Sequence, residues 1–298
     1  MTISFTRRNA LLMALFTSSF FSAAEAFSAE TDRSIEEDIR LIETKSGGEL
    51  GVAVLDTGTN QVVGHRLDER FALCSTFKVL AIAFVLARVD QGKEQLDRRV
   101  DFSEQDLVLP YKATKPHVGA EGMTIDELCK AAAIYSDSTA ANLLLASFGG
   151  PAELTDYLRS IGDNVTRVDN VEPKLNIVKP GELHDTTSPR AMAETMKRII
   201  LGDMLSPRSR GLLTDWLVNG QDAATQRLRK GVPAGWRIVN KPGTWKGIST
   251  NDVGVIWPPH RPPVVVAAYL SHAPGSIESQ EAVLADVARR VCDRLLRS

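Results

Sequence analysis

Residues 72–86 read ALCSTFKVLAIAFVL: a short polar start, Cys74-Ser75-Thr76, runs into an apolar stretch of helical length whose one charge is Lys78. Two readings compete for that lysine. In one, Ser75 caps the helix and Lys78 reaches solvent. In the other, the two side chains lie on one face of the first turn and act as nucleophile and proton acceptor. Spacing alone does not separate them, since S-x-x-K arises by chance about once in a chain of this length. The stretch also marks the place where the chain changes character, and so decides the architecture.

Upstream, Ile35, Ile39 and Ile42 recur at helical spacing and Gly47-Gly48 ends that helix. LGVAVLD and QVVGHRL follow, joined by Asp56-Thr57-Gly58-Thr59-Asn60, a β-hairpin pattern. Downstream the chain reads as mainly helical to about Leu217, with Thr124–Ser147 as its longest apolar helix and a polar, irregular stretch from Gly162 to Ser188. Strand character returns in WRIVNK, DVGVIW and PPVVVAAYL, with KPGTWKGIST between the first two, and an amphipathic helix from about Ser276 to Leu296 closes the chain. Strands and helix at the start must therefore pair in space with strands and helix at the end, around a helical insertion. The expected fold class is α+β: an antiparallel sheet of about five strands flanked by helices, plus an all-helical lobe, with a groove where the lobes meet. Residues 30–298 read as a single domain, the sheet lobe at about 30–72 and 219–298 and the helical lobe at about 73–218.

The 298 residues are 43% hydrophobic and 24% charged with net charge −2, an ordinary globular composition without the basic excess that nucleic-acid binding needs. Arg7 and Arg8 precede an apolar run from Ala10 to Phe21, and Ala24-Glu25-Ala26 offers a small-x-small cleavage site. Residues 1–26 read as a signal peptide cleaved near Ala26 or Ala29; the run is too short for a permanent membrane anchor. The mature protein is expected in the periplasm or secreted. Cys74, Cys129 and Cys292 are odd in number and show no C-x-x-C, and the five histidines never fall in ligand spacing. No metal or other cofactor is expected.

Three further polar clusters sit in loops or at boundaries: Tyr135-Ser136-Asp137-Ser138, Glu172-Pro173-Lys174-Leu175-Asn176 and Lys241-Pro242-Gly243-Thr244. Singly they read as a helix break with a cap, a solvated loop and a strand-end turn. In order, S-x-x-K, S-D-x, E-x-x-L-N and K-x-G-T, they resemble the class A serine β-lactamases, over essentially all of Ser34–Leu296. The resemblance implies a β-lactamase/transpeptidase-like fold and hydrolysis of the β-lactam ring of penicillins and/or cephalosporins through a serine acyl-enzyme. It assigns Ser75 as nucleophile and the backbone N–H groups of Ser75 and Thr244 as the oxyanion hole. Lys78 is a base or an electrostatic partner, and Glu172, with Asn176 beside it, aims the deacylating water. Ser136 relays a proton to the departing nitrogen with Lys241 nearby. Whether Lys78 or Glu172 takes the first proton stays open. Substrate binding falls to Ser138, Asn176, Thr244, Trp245, Tyr111 (with Pro110 as competitor) and an arginine at Arg227, for which Thr250 occupies the alternative position. The partners expected are a small β-lactam and a bound water, and the protein is expected to be a monomer.

The departures from the family pattern are specific. Ser138 replaces the usual asparagine, Pro242 the usual threonine or serine of the third motif, and Trp245 a small residue. Asn170 stands where an arginine usually pairs with the equivalent of Asp185. The family's customary partner positions for Cys129 and Cys74 fall at Ile82 and Trp245, so reduced cysteines are expected. Penicillin-binding peptidases share the serine, lysine and K-x-G logic but lack the deacylating glutamate; a β-lactam sensor would acylate without turnover.

Overall fold

The computed structural model describes residues 35–296, Ala120 excepted. The signal segment 1–26, its cleavage sites and residues 30–34 lie outside the described residues. Helix α1 covers 35–46, followed by β1 (Glu49–Asp56), β2 (Val62–His65) and the short β3 (Phe71–Ala72). The inserted lobe carries α2 (Phe77–Asp90), short strands β4 (Arg99–Val100) and β5 (Met123–Thr124), α3 (Ile125–Ile134), α4 (Ser138–Ser147), α5 (Pro151–Ser160), the short β6 (Thr186–Thr187), α6 (Pro189–Ile200) and α7 (Pro207–Val218). Two single-turn helices, α8 (Ala223–Gln226) and α9 (Leu228–Gly231), lead to β7 (Arg237–Trp245), β8 (Ser249–Trp257), β9 (Val264–Ser271) and α10 (Ile277–Leu295).

The two ends of the chain build one five-stranded sheet, ordered β2-β1-β9-β8-β7 and antiparallel at every pairing. Strand periodicity explains its burial on both faces. Along β9, Val265, Ala267 and Tyr269 join the core beneath the helical lobe, while Val264, Val266, Ala268 and Leu270 join a second core under α1 and α10. Helix α2 is apolar nearly all round and runs through the middle of the larger core. Its Lys78 is 0% exposed, so the lysine does not reach solvent.

Two local expectations are corrected. The single helix expected over Thr124–Ser147 is two helices. Thr124 and Glu127 form a reciprocal capping box at the head of α3, and Asp137 caps α4 through the backbone N–H of Ala140. The break leaves Ser136 at φ +55°, turned out of the helical register. The segment KPGTW is strand rather than connection: β7 continues to Trp245 and the turn is confined to residues 246–248. Pro242 is tolerated because β7 is an edge strand, where a missing N–H can point away from the ladder.

Candidate active site

The groove lies where the head of α2 meets the edge of the sheet. Leu73, Cys74 and Phe77 are fully buried while Ser75 is half-exposed, presented by a 3₁₀ turn (Cys74–Thr76) in which Cys74 takes φ +44°. Strand β7 crosses directly over that turn. A Cβ on Gly243 would sit 3.0 Å from the Ser75 backbone nitrogen and 3.1 Å from Leu73 O, so only glycine lets the strand approach this closely. That contact brings the Ser75 N–H beside the Gly243–Thr244 segment.

Lys78 Nζ gathers three of the separated motifs. It donates to Ser136 O at 2.7 Å and to Ser138 Oγ at 3.1 Å, and it pairs with Glu172 Oε1 at 3.2 Å. Burial pushes its pKa down, and the Glu172 carboxylate opposes that shift. Serine at position 138, where the family usually has asparagine, thus makes a direct contact with the lysine. The Ser138 N–H also donates to Pro110 O at 2.6 Å, seating the loop before α3 against the groove. Asp137, fully buried, fastens the same loop through the N–H groups of Ala113 and Thr114 and the Thr114 hydroxyl, each at 3.0 Å.

Glu172 is held from both sides. Its carboxylate accepts from Asn176 Nδ2, and its main chain exchanges two hydrogen bonds of 2.9 Å with the Asn142 side-chain amide. Asn176 Oδ1 is buried with no hydrogen-bond partner among the described residues. Asn142 was missed at the level of sequence; an amide facing inward from the alanine-rich α4 was the available signal. Asn170 replaces the expected ion pair by donating its side-chain N–H to Asp185 Oδ2 at 2.6 Å, and Asp185 Oδ1 accepts the backbone N–H groups of Asp169 and Asn170. Asp185 O in turn accepts the Leu73 N–H at 2.9 Å, coupling the Glu172 loop to the residue two before Ser75.

On the sheet side Lys241 Nζ, 0% exposed, donates to Ser136 Oγ at 2.8 Å and Pro242 O at 3.1 Å. Burial first, and the Lys78 charge second, put its pKa well below the ordinary lysine value. Thr244 is exposed at the groove edge. Two expected substrate contacts are placed elsewhere. Arg227 is 1% exposed and spends its N–H groups on Gly243 O (2.7 Å), Asn251 O (2.8 Å), Thr244 Oγ1 (2.5 Å) and Glu281 Oε1 (3.3 Å), so it reaches the groove only through Thr244. Thr250 is fully buried with its hydroxyl 2.6 Å from Gln280 Oε1, facing α10. Strand alternation turns Thr250 to the α10 face of the sheet, whereas Arg227, between α8 and α9, is held against the sheet by the Gly243 and Asn251 carbonyls. Tyr111 is half-buried under the Lys115 ammonium, 5.3 Å from the ring centroid, and Trp245 lies under Lys246 at 4.7 Å.

Cys74, Cys129 and Cys292 are free thiols, all buried, and burial pushes the Cys74 thiol up to about 12, which keeps it protonated beside Ser75. Among the described residues no group of three or more His, Cys, Asp and Glu could hold a metal ion, and no helix is long and apolar enough to cross a membrane.

A family model described as the beta-lactamase enzyme family matches residues 34–295. A beta-lactamase of Streptomyces fradiae is 42% identical over 265 residues, covering 88% of this chain and 86% of that protein. Beta-lactamase CTX-M-97 of Escherichia coli is 39% identical over 291 residues, 98% of each chain. Among solved structures, an ancestral class A beta-lactamase superposes with a TM-score of 0.85 at 53% identity, covering 87% of this chain and 99% of that one.

Proposed function

The chain belongs to the class A serine β-lactamase family and hydrolyses β-lactams by a serine mechanism, and from that premise we propose the following roles for its residues. Ser75 Oγ attacks the β-lactam carbonyl carbon, and its proton passes to the buried Lys78–Glu172 pair. The oxyanion that develops is met by the backbone N–H groups of Ser75 and Thr244. The C–N bond of the ring breaks, and Ser136, hydrogen-bonded to Lys241, gives its proton to the departing nitrogen and is reprotonated with the proton taken from Ser75, which returns the Lys78–Glu172 pair to its starting state. A water held by Glu172 and Asn176 then attacks the ester carbonyl. Glu172 takes the water's proton, the ester bond breaks, and Ser75 Oγ is reprotonated. One water is consumed per ring opened.

The observation that carries this reading is the convergence on Lys78 Nζ of groups from Ser136, Ser138 and Glu172. Lys241 and Thr244 form the edge that receives the substrate carboxylate, Ser138 and Asn176 line the amide side, and Tyr111 and Trp245 stand as aromatic walls. We place penicillins and/or cephalosporins as substrates, and the apolar segment behind Arg7-Arg8 supports export of a monomeric mature enzyme to the periplasm or medium, checked by N-terminal sequencing and light scattering.

Mixing the purified protein with a chromogenic cephalosporin tests the reading. Steady turnover in the parent with none in Ser75→Ala is the expected result. A single stoichiometric burst would instead make the protein a β-lactam-acylated binding protein or peptidase.

A further inference from the structure

Asp252 is a buried charge that the proposed reaction does not use. It lies in the middle of β8, 0% exposed and opposite Pro242 in the register with β7. Its Oδ2 accepts from the Leu228 backbone N–H at 3.1 Å and from Asn240 Nδ2 at 2.8 Å, whereas Oδ1 is buried without a hydrogen-bond partner among the described residues. Burying a carboxylate is unfavourable unless its charge or its contacts serve something else.

The two groups it holds are chain neighbours of the recognition edge. Leu228 follows Arg227, which sets the Thr244 hydroxyl at 2.5 Å, and Asn240 precedes Lys241. Asn240 extends the tie, donating to Ala224 O at 2.9 Å and accepting from Arg229 Nη2 at 2.9 Å. One carboxylate therefore staples the α8–α9 turn to the strand that carries Lys241 and Thr244. Arg227 and Arg229 from that turn, Lys241 from β7 and Tyr269 from β9 bear on it, and Glu281 of α10 pairs with Arg227 at 3.3 Å. Three are cations, and Asp252 is the buried anion among them.

We propose that Asp252 is a positioning residue, which fixes the Arg227 segment against β7 and balances its cations so that Lys241 and Thr244 stay set for an anionic substrate. The proposal rests on the reading of those two residues as the substrate-carboxylate edge. Burial, opposed by Arg227, pushes the Asp252 carboxyl up to about 6. As pH falls through that value the carboxylate takes a proton, the staple loses its charge, and KM rises on the acid side.

The test is Asp252→Asn, which keeps the shape and one acceptor oxygen but cannot titrate. For a chromogenic cephalosporin, KM is expected to rise about tenfold with kcat changed by less than about twofold, the mark of a lost binding contribution. The acid-side rise in KM seen in the parent should vanish, and the melting temperature at neutral pH should not fall, because a neutral amide relieves the burial of charge. Asn240→Ala removes one donor and leaves the charge, so it should raise KM by about threefold and move the acid-side rise to higher pH. An unchanged KM in Asp252→Asn, or a persisting acid-side rise, would overturn the proposal. So would a loss of activity that only tracks a lower melting temperature. Glu172→Ala is assayed in parallel: if it still accumulates the acyl-enzyme while Asp252→Asn behaves as the parent, only this inference fails. If it accumulates none, the assigned reaction fails instead.

Discussion

On the α2 side of the groove two opposite charges face each other, Lys78 Nζ lying 3.2 Å from Glu172 Oε1. On the β7 side, among the described residues, Lys241 is held by a serine hydroxyl and a carbonyl, with no carboxylate in ion-pair contact. Both lysines are fully buried, and burial lowers the pKa of both. In the proposed reaction the helix side is the pair that holds and moves the proton. The strand side, in that reaction, offers an anionic substrate a buried lysine that has no carboxylate in direct contact among the described residues. Of the substituted motif residues, Pro242 and Trp245 fall on the strand side and Ser138 on the helix side, where it accepts from Lys78. The Lys78–Glu172 pair and Asn176 keep their family identities.

The largest effect should come from opening the Lys78–Glu172 pair. Lys78→Met leaves Glu172 buried without its partner; kcat should drop by about 10³-fold, and urea unfolding should show a loss of about 3–5 kcal/mol. A change in kcat without a change in stability would mean that the pair is not a ground-state unit.

Lys241→Met should have a smaller effect, about 10–100-fold in kcat/KM and mostly in KM, since a charge-assisted contact is lost rather than the nucleophile's base. The pH dependence sharpens this. Lys241 loses its proton below the ordinary lysine range, so parental KM should begin to climb on the alkaline side before about pH 10. The unfolded chain keeps that proton to higher pH, so the folded state binds fewer protons in this window and stability rises with pH there. Activity and stability should move in opposite directions in the parent, and the difference should disappear in Lys241→Met.

Asn170→Ala tests the brace outside both sides. Removing its 2.6 Å bond to Asp185 should cost about 1–3 kcal/mol by urea denaturation, because Asp185 is fully buried. A neutral outcome would show that the two backbone N–H groups on Oδ1 suffice. The smallest effect belongs to Pro242→Thr, which returns a hydroxyl to the strand edge and should lower KM by about two- to tenfold. A higher KM would mean that the proline's fixed backbone, rather than the missing hydroxyl, sets this edge.

Much of this was legible because local rules carry it. The sheet assembled from the two chain ends followed from strand patterns flanking a helical insertion. The position of Ser75 and Lys78 at the head of an apolar helix followed from the sequence pattern. Where partners are distant, the sequence was silent. Nothing local shows that Lys78 is fully buried, that Asn142 clasps the main chain of Glu172, or that Asp185 bridges to Leu73. Arg227 and Thr250 were expected at the substrate, yet strand alternation turns Thr250 toward α10, and Arg227, between α8 and α9, is spent on the Gly243 and Asn251 carbonyls, Thr244 and Glu281. Pro242 and Gly243 read as a turn, although an edge strand accepts the proline and close passage over Ser75 requires the glycine.

The most direct test of the division between the two sides is intact mass spectrometry of Glu172→Ala during incubation with a penicillin or cephalosporin. The predicted result is a protein heavier by one opened β-lactam on Ser75, persisting while the parent returns to its free mass within a turnover. An unmodified Glu172→Ala, or an adduct that clears as fast as in the parent, would contradict the role given to the Lys78–Glu172 pair.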